Sequence, residues 1–563
     1  MKILIRNLLL SFYLCAISCS AKEKNQVKDI YNLGFESNIS MNSRIEGWYN
    51  SYTYSRIQLD SIQVKEGKFA AKVNMLNIPG NKPGPFCIFQ TIYLPADPQK
   101  LEVSIWLKEE TSLGGSFKCY LLDSAEKIVS RDSTSFTSSH DWTKYTINFD
   151  RPAGRILNIE VELPQGSQVW LDQCEIHMNG KSIYEYETKK IRSDIRYDRI
   201  LQNPTKIELN DSVISGLSRD LKGVDLVGIG ESVHASHEMV ESRNQLIKYL
   251  VKYQNCRLII LEAPADFVEQ LNGYIQGNLG DEEILNPTTR VIGQFYHYSE
   301  EMRSLVHWLK DYNKTAQKKV SIAGMDVCYS IQTPLASLIR EIQKSELIKR
   351  LRNFLQNSNS DSLVYTIQKN DSQLRASLTD DQYARLKLLA NRFDQFVSVN
   401  KSPSPNSTRD SIMAENVKML LNQYGAEGEI SVISAHLTHL NKTNLFSYLV
   451  PSLGKRLFDF YGKRYFVIGQ LVGEGQYLAG AGRAEIHELF SDENRSIESV
   501  CSKVPMDYFY SAINKSDKSS NSLMMFRCNG GTPQRIQFFP GNLSQRIDAV
   551  VFIRKGSPLR LIQ

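Results

Sequence analysis

The sequence predicts a multidomain chain in which an N-terminal all-β sandwich precedes an α/β domain with a mainly parallel sheet and a helical insertion. Three observations carry this. At 563 residues the chain exceeds one ordinary domain, and about two to four are expected. Up to about residue 181, short alternating runs are punctuated by Gly, Pro, Asp and Asn, the mark of antiparallel strands. Beyond residue 221, fully apolar runs alternate with segments of helical period, the mark of βαβ units.

The first residues read as a targeting segment. Lys2 and Arg6 supply positive charge, Leu8 to Ala16 an apolar run, and Ala16-Ile17-Ser18-Cys19 small residues before a cysteine. This pattern resembles a bacterial lipoprotein signal. The resemblance implies a signal peptide over 1–18, lipidation of Cys19, a polar tether over 19–30, and a lipid-anchored protein of the bacterial cell envelope, secreted and facing periplasm or exterior.

The sandwich is expected over 31–181. Its strands are Tyr54 to Leu59, Ala70 to Met75, Phe86 to Tyr93, Leu101 to Leu107, Lys118 to Leu122, Trp142 to Asn148, Ile156 to Leu163 and Val169 to Ile176. The opening Asn32-Leu33-Gly34-Phe35-Glu36, the central Trp142-Thr143-Lys144-Tyr145 and the closing Val169-Trp170-Leu171-Asp172 resemble carbohydrate-binding jelly rolls. Trp48, Tyr49, Tyr52 and Tyr54 could stack on sugar rings, although sandwich aromatics are more often core.

A charged, polar stretch over 182–206 reads as a linker, and the α/β domain as 207–563. Val224 to Ile229 and Arg257 to Leu261 are apolar strands flanking a helix over Glu238 to Tyr253, whose Met239, Leu246, Ile247 and Leu250 share one side. Helix Glu300 to Tyr312 precedes strand Val320 to Ala323, and helix Ser411 to Gln423 precedes strand Ile430 to Ala435. Tyr465 to Leu471 and Ala549 to Ile553 are further strands. Residues 333–400 read as the helical insertion, and Lys401 to Thr408 as the loop returning to the sheet.

Composition excludes some classes. The net charge of +6 is small for the length and shows no Lys/Arg cluster, so nucleic-acid binding has little support. Nothing beyond the first twenty residues approaches the about 18 consecutive apolar residues of a membrane span. Of nine cysteines, seven lie beyond the signal and tether (Cys87, Cys119, Cys174, Cys256, Cys328, Cys501, Cys528). They have no CxxC spacing, which argues against a disulfide framework or a zinc ribbon.

The chemistry concentrates after predicted strands. Among nine histidines, His234 with His237 and His436 with His439 form two i,i+3 pairs, each just past a strand; Glu262 and Asp326 sit at the same kind of position. Ligands of open α/β sheets bind beyond the carboxyl ends of the strands, so Glu231, His234, Glu262, Asp326, His436 and His439 can converge. An imidazole takes a proton from water near neutrality, and a carboxylate beside it fixes its tautomer. No Gly-x-Ser-x-Gly elbow supports a serine nucleophile, and no Gly-rich phosphate loop follows a strand.

Gly230-Glu231-Ser232-Val233-His234, with Glu238 and Arg243, resembles the opening motif of the erythromycin esterase family. Leu261-Glu262-Ala263, Gly324-Met325-Asp326, Met413-Ala414-Glu415-Asn416, Ala435-His436 with His439, Gly473-Glu474-Gly475 and Asp548 to Ile553 follow in family order. The resemblance implies an ester hydrolase, acting on a carboxylic ester or lactone, that uses water directly and needs no cofactor. It makes His234 the general base beside Glu231, and Glu262 and His436 the groups that position water and carbonyl. Arg243, His439 and His237 become substrate or supporting contacts. Leu437 stands where members commonly have asparagine, and Pro264 follows Glu262; both lie where substrate would be shaped. A macrolide, an acylated glycan and another lactone all remain open as substrate.

Two alternatives stand beside this. A metal-dependent hydrolase could hold zinc or manganese on the same His/Glu cluster, although neither pair has the His-Glu-x-x-His arrangement. A surface glycan-binding lipoprotein without catalysis is the other; the intact Glu231, His234, Glu262 and His436 set argues against it.

Overall fold

The computed structural model describes residues 31–562 except 37, 40–43, 46, 51–54, 76–85, 95–97, 112, 124–126, 138, 188–195, 208–213, 215, 281–296, 328–362, 403, 446–449, 481–483, 490–495, 518, 521–522 and 532–536. The signal, the tether, Cys19, Tyr52, Tyr54, Cys328 and the first part of the helical insertion lie outside the described residues. Among those described, no helix is long and apolar enough to cross a membrane.

The first domain holds strands β1 Ser55–Asp60, β2 Ala70–Met75, β3 Phe86–Tyr93, β4 Lys100–Thr111, β5 Gly115–Leu122, β6 Ile128–Phe136, β7 Thr143–Asp150, β8 Ile156–Leu163 and β9 Gln168–Met178. They form two antiparallel sheets, one ordered β7-β4-β9-β2-β1 and one in which Tyr49–Asn50 is followed by β3-β8-β5-β6. Alternate residues of each sheet meet in one core: Val103, Ile105 and Leu107 from β4 with Phe117, Leu121, Ile159 and Val161. Strand β6 escapes the sequence pattern because it is an edge strand with Ser, Arg, Asp and Thr on both faces, so nothing alternates. Trp48 is buried, stacks on Phe35 at 4.7 Å and donates its indole N–H to Asn32 O, as a core residue does. The six described cysteines are free.

The second domain is built on a mixed nine-stranded sheet. Its strands are β10 Leu201–Lys206, β11 Leu226–Glu231, β12 Cys256–Pro264, β13 Ser321–Asp326, β14 Ile430–His436, β15 Tyr465–Ala479, β16 Glu485–Leu489, β17 Tyr508–Ile513 and β18 Ala549–Gly556. The order is β10-β17-β18-β15-β11-β14-β12-β13, with β16 paired to β15. Six strands from β13 to β18 run parallel, while β17, β10 and β16 pair antiparallel. Strand β10 falls in the stretch read as linker, so the sheet begins six residues before residue 207. Its polar Gln202-Asn203-Pro204 hides it; Pro204 is tolerated at a bulge on an edge strand.

The parallel strands are apolar on both faces because helices cover both sides. Val227 and Ile229 of β11 join one core, together with Leu246, Ile247 and Leu250 of helix α1 His237–Tyr253 and Leu305 and Leu309 of α2 Glu300–Thr315. Leu226 joins a second core, with Met413 and Val417 from the helix Pro405–Tyr424. On that second face Gly230 makes room for Leu437: a Cβ at Gly230 would lie 2.7 Å from Leu437 Cδ1.

In the insertion, α3 Asp380–Lys401 starts at a capping box formed by Thr379 and Gln382. Three residues separate it from α4 Pro405–Tyr424. The expected loop over 401–408 is thus mostly helix, because Pro405 occupies the first turn, where its missing N–H costs nothing. The early start places Arg409 and Asp410 on α4.

Candidate active site

The carboxyl ends of the parallel strands bring the chemistry together. Glu231 ends β11 and is the register partner of His436, which ends β14. Glu262 lies near the end of β12, and Asp326 ends β13. Strand β11 has β14 on one side and β15 on the other, so the chain reverses its direction of travel across the sheet there, where α/β sheets open a crevice.

Beyond β11 the chain turns through 232–236 into α1. Ser232 N–H donates to Gln470 O and His234 N–H to Asn529 O, 3.1 Å away. Ala235 adopts a left-handed φ of 56°, a conformation that costs a non-glycine residue about 1–2 kcal/mol. The turn folds His234 back over the strand end, where its Nδ1–H donates to Glu231 Oε1 at 2.5 Å. A carboxylate on Nδ1 leaves Nε2 as the basic nitrogen.

His436 faces His234, ring centroids 4.6 Å apart. Its Nε2–H donates to Asn529 O at 3.2 Å and its Nδ1 accepts the Thr438 hydroxyl at 2.7 Å. Burial, reinforced by the His234 field, holds His436 well below the ordinary histidine range, so it is neutral. Glu262 accepts the His436 backbone N–H on Oε2 at 2.7 Å and the Arg409 guanidinium on Oε1 at 2.8 Å. Burial alone would raise the Glu262 carboxyl; His439, Arg409 and His234 and the His436 N–H more than reverse this, holding it below the usual carboxylate range.

His439 donates from Nδ1 to Asp410 Oδ1 at 2.8 Å. Its Nε2 lies 3.2 Å from Arg409 Nη1 and 3.4 Å from Glu262 Oε1. Burial disfavours its charged form, yet Asp410 and Glu262 outweigh burial and raise its pKa. Asp326 takes the Arg409 Nε and Nη2 as a fork at 2.8 and 2.6 Å.

A polar cavity adjoins the two glutamates, lined among others by Glu231, Arg243, Glu262 and His297. Arg243 is buried in α1, its guanidinium held by Asn244 Oδ1 at 3.0 Å; burial lowers its pKa and Glu231 opposes that. His297 donates Nε2–H to the Glu262 backbone carbonyl at 2.9 Å, and burial pushes its pKa down to about 4.

The sequence-derived residues Glu231, His234, Glu262, Asp326, His436 and His439 therefore share one site, with Arg243 at its wall. His237 does not join them. Its Nδ1 meets Glu301 Oε1 at 2.5 Å and its Nε2 faces Arg560, tying α1 to α2 and the C-terminal segment. Glu238 is turned the same way, accepting the Ser557 N–H and hydroxyl at 2.6 and 2.7 Å. Leu437 points away from the site into the core beside Gly230. Arg409, Asp410 and His297 escaped the sequence reading. The first two precede Met413-Ala414-Glu415-Asn416 and fall between the expected loop, which ends at Thr408, and the expected helix, which begins at Ser411; His297 follows no strand.

Among the described residues, the group whose donor atoms gather as a metal would require is Cys87, Glu160 and Glu162 on the sandwich. There Lys118 already pairs with Glu162, and burial raises the Cys87 thiol above its ordinary pKa, which disfavours the thiolate a cation needs.

A family model described as erythromycin esterase matches residues 251–556, more than half of the chain. Glu262, Asp326, Arg409, His436 and His439 lie inside that match; Glu231, His234 and Arg243 precede it. Over 150 residues the chain is 29% identical to erythromycin esterase type I of Escherichia coli, covering 26% of this chain and 35% of that protein. Over 102 residues it is 28% identical to erythromycin esterase type II of Escherichia coli, covering 18% and 23%. The chain thus spans about a third or less of these curated relatives. A solved Bacillus cereus structure shares the fold, with 24% identity, a TM-score of 0.54, and coverage of 64% of this chain and 97% of that one.

Proposed function

The chain belongs to the erythromycin esterase family, and from that premise we propose that it hydrolyses a carboxylic ester or lactone with water activated by His234. The observation that carries this is the 2.5 Å contact between His234 Nδ1 and Glu231. A base works by accepting a proton in the transition state, and the imidazolium so formed is stabilised by the carboxylate beneath it. Water held at His234 Nε2 loses its proton as its oxygen bonds to the carbonyl carbon. The carbonyl π pair moves onto oxygen, and collapse expels the alkoxide, which takes the proton back from His234.

Neutral His436 and ionised Glu262 orient the water and the carbonyl, and the Arg243 cation at the cavity wall favours negative charge developing there. This division of labour follows the family resemblance residue by residue. The substrate class is a small molecule or an acylated glycan. The resemblance of the appended sandwich to carbohydrate-binding jelly rolls is what supports a glycan. From Ala16-Ile17-Ser18-Cys19 we further propose a lipid anchor on Cys19; acyl labelling that persists in Cys19→Ala would exclude it.

The test is turnover by a chain beginning at Ala21, followed by mass spectrometry across macrolactones, acylated sugars and aryl esters, with and without chelator. Water addition or acyl loss that disappears in His234→Ala and survives chelator supports this reading. Turnover that chelator abolishes and zinc or manganese restores would move it to metal-dependent hydrolysis. Glycan binding without any turnover would make the protein a binding lipoprotein.

A further inference from the structure

We infer that Arg409 is a positioning residue of this site, holding Glu262 and His439 in a fixed relation from an anchor on Asp326. The inference rests on the hydrolytic reading above for its catalytic consequence, while its geometry stands independently.

Three guanidinium nitrogens have assigned work. Nε and Nη2 clasp both oxygens of Asp326 at 2.8 and 2.6 Å, the fork geometry that fixes a guanidinium plane. Nη2 also reaches Glu262 Oε1 at 2.8 Å, and Nη1 reaches His439 Nε2 at 3.2 Å. Glu262 is then gripped at each oxygen, by Arg409 on Oε1 and the His436 N–H on Oε2, so its carboxylate cannot rotate. His439 is gripped at each nitrogen, by Asp410 and by Arg409. Asp410 is itself fixed by the Leu453 N–H on its other oxygen at 2.7 Å.

The consequence is electrostatic as well as geometric. Glu262 and His439 lie 3.4 Å apart, and a proton on His439 Nε2 would bridge them. Arg409 Nη1–H donates to that same nitrogen, and two protons cannot occupy one contact. Arg409 therefore opposes protonation of His439 while keeping Glu262 ionised. Among the described residues, the charged and titratable groups around the pair are Glu231 from β11, His234 from the turn after it, Arg243 from α1, His436 from β14, Asp326 from β13, Asp410 from α4, and His297. Among the described residues, Arg409 is the cation that contacts both members directly. A lysine could offer charge but not the fork, since its ammonium is a point donor.

The experiment compares wild type with Arg409→Met and Arg409→Lys, reading kcat and KM for an aryl ester against pH and the urea midpoint against pH. Arg409→Met is expected to lower kcat about 10²-fold with KM changed far less. It should also move upward, by about 1–3 pH units, the acid limb at which Glu262 takes up its proton, below the limb set by the base His234, the effect of removing an adjacent opposite charge. Arg409→Lys should return the acid limb towards wild type while kcat stays well below it. If Arg409→Met does not fold, Asp326→Asn, which breaks one side of the fork, should lower kcat in smaller measure with KM changed far less.

An unmoved acid limb with unchanged kcat overturns the inference, as does a lowered urea midpoint with both intact. If wild type turns over no ester, the hydrolytic reading fails and the urea series decides. A gap between wild type and Arg409→Met that widens from about pH 3 to about pH 6 supports the inference, because an ionised, paired Glu262 adds stability above its unfolded pKa of about 4.3. A gap independent of pH overturns it.

Discussion

His234 Nδ1 stands 2.5 Å from Glu231 Oε1 because the chain beyond β11 turns back at once, held by the Ser232 N–H on Gln470 O and the His234 N–H on Asn529 O. Glu231→Gln keeps the shape but loses the charge that stabilises the imidazolium. A fall in kcat of about 10²–10⁴ with an unchanged circular dichroism spectrum is expected, the range over which positioned general-base catalysis acts. Near-wild-type turnover would remove Glu231 from the mechanism.

Glu262→Gln presents an amide between two donors, Arg409 on one side and the His436 N–H on the other. One of them must then face the new NH₂. Breaking a buried ion pair in this way costs about 3–5 kcal/mol, and urea unfolding should show it. A cost below about 1 kcal/mol would mean that the pair is solvated and weak.

Leu437→Asn restores the residue common in the family and separates two roles for the position. Leu437 is buried between Gly230 and Gly469. The asparagine would place an unpaired amide there and leave part of the space empty. A loss of about 3 kcal/mol or more in urea is expected, with the preference between two ester substrates unchanged. A changed preference at intact stability would place Leu437 at the substrate after all.

His237 should matter to stability through Glu301 and not to substrate affinity. Its hydrogen bond to Glu301 raises its pKa despite burial, and the same bond helps to lower that of Glu301. The histidine's contribution is therefore complete below its unfolded pKa of about 6.5 and fades as pH rises through the raised folded value. The difference in urea midpoint between wild type and His237→Gln should be larger at about pH 6 than at about pH 9, with KM unaffected. A rise in KM at intact stability would return His237 to the substrate contacts.

Much of the fold was legible because burial leaves a local periodic trace. Strands such as Ala70–Met75, Phe86–Tyr93 and Ile156–Leu163 coincide with their sequence patterns. Strands β6 and β10 were not legible, since an edge strand buries too little to impose alternation. The candidate site was legible to the extent that strand direction places strand-end residues together: Glu231, Glu262, Asp326 and His436.

The sequence by itself determined the two-domain organisation, the apolar strands of the parallel region, and the carboxylates and imidazoles at their carboxyl ends. Only the tertiary structure decided their partners. It drew His237 away to Glu301, turned Leu437 into the core, and brought Arg409 to Asp326, Glu262 and His439 from the first turns of a helix that the pattern starts only at Ser411. The reason is physical. Hydrophobic periodicity records which way a side chain faces relative to its own element, whereas a polar contact depends on strand order and on where a neighbouring helix begins.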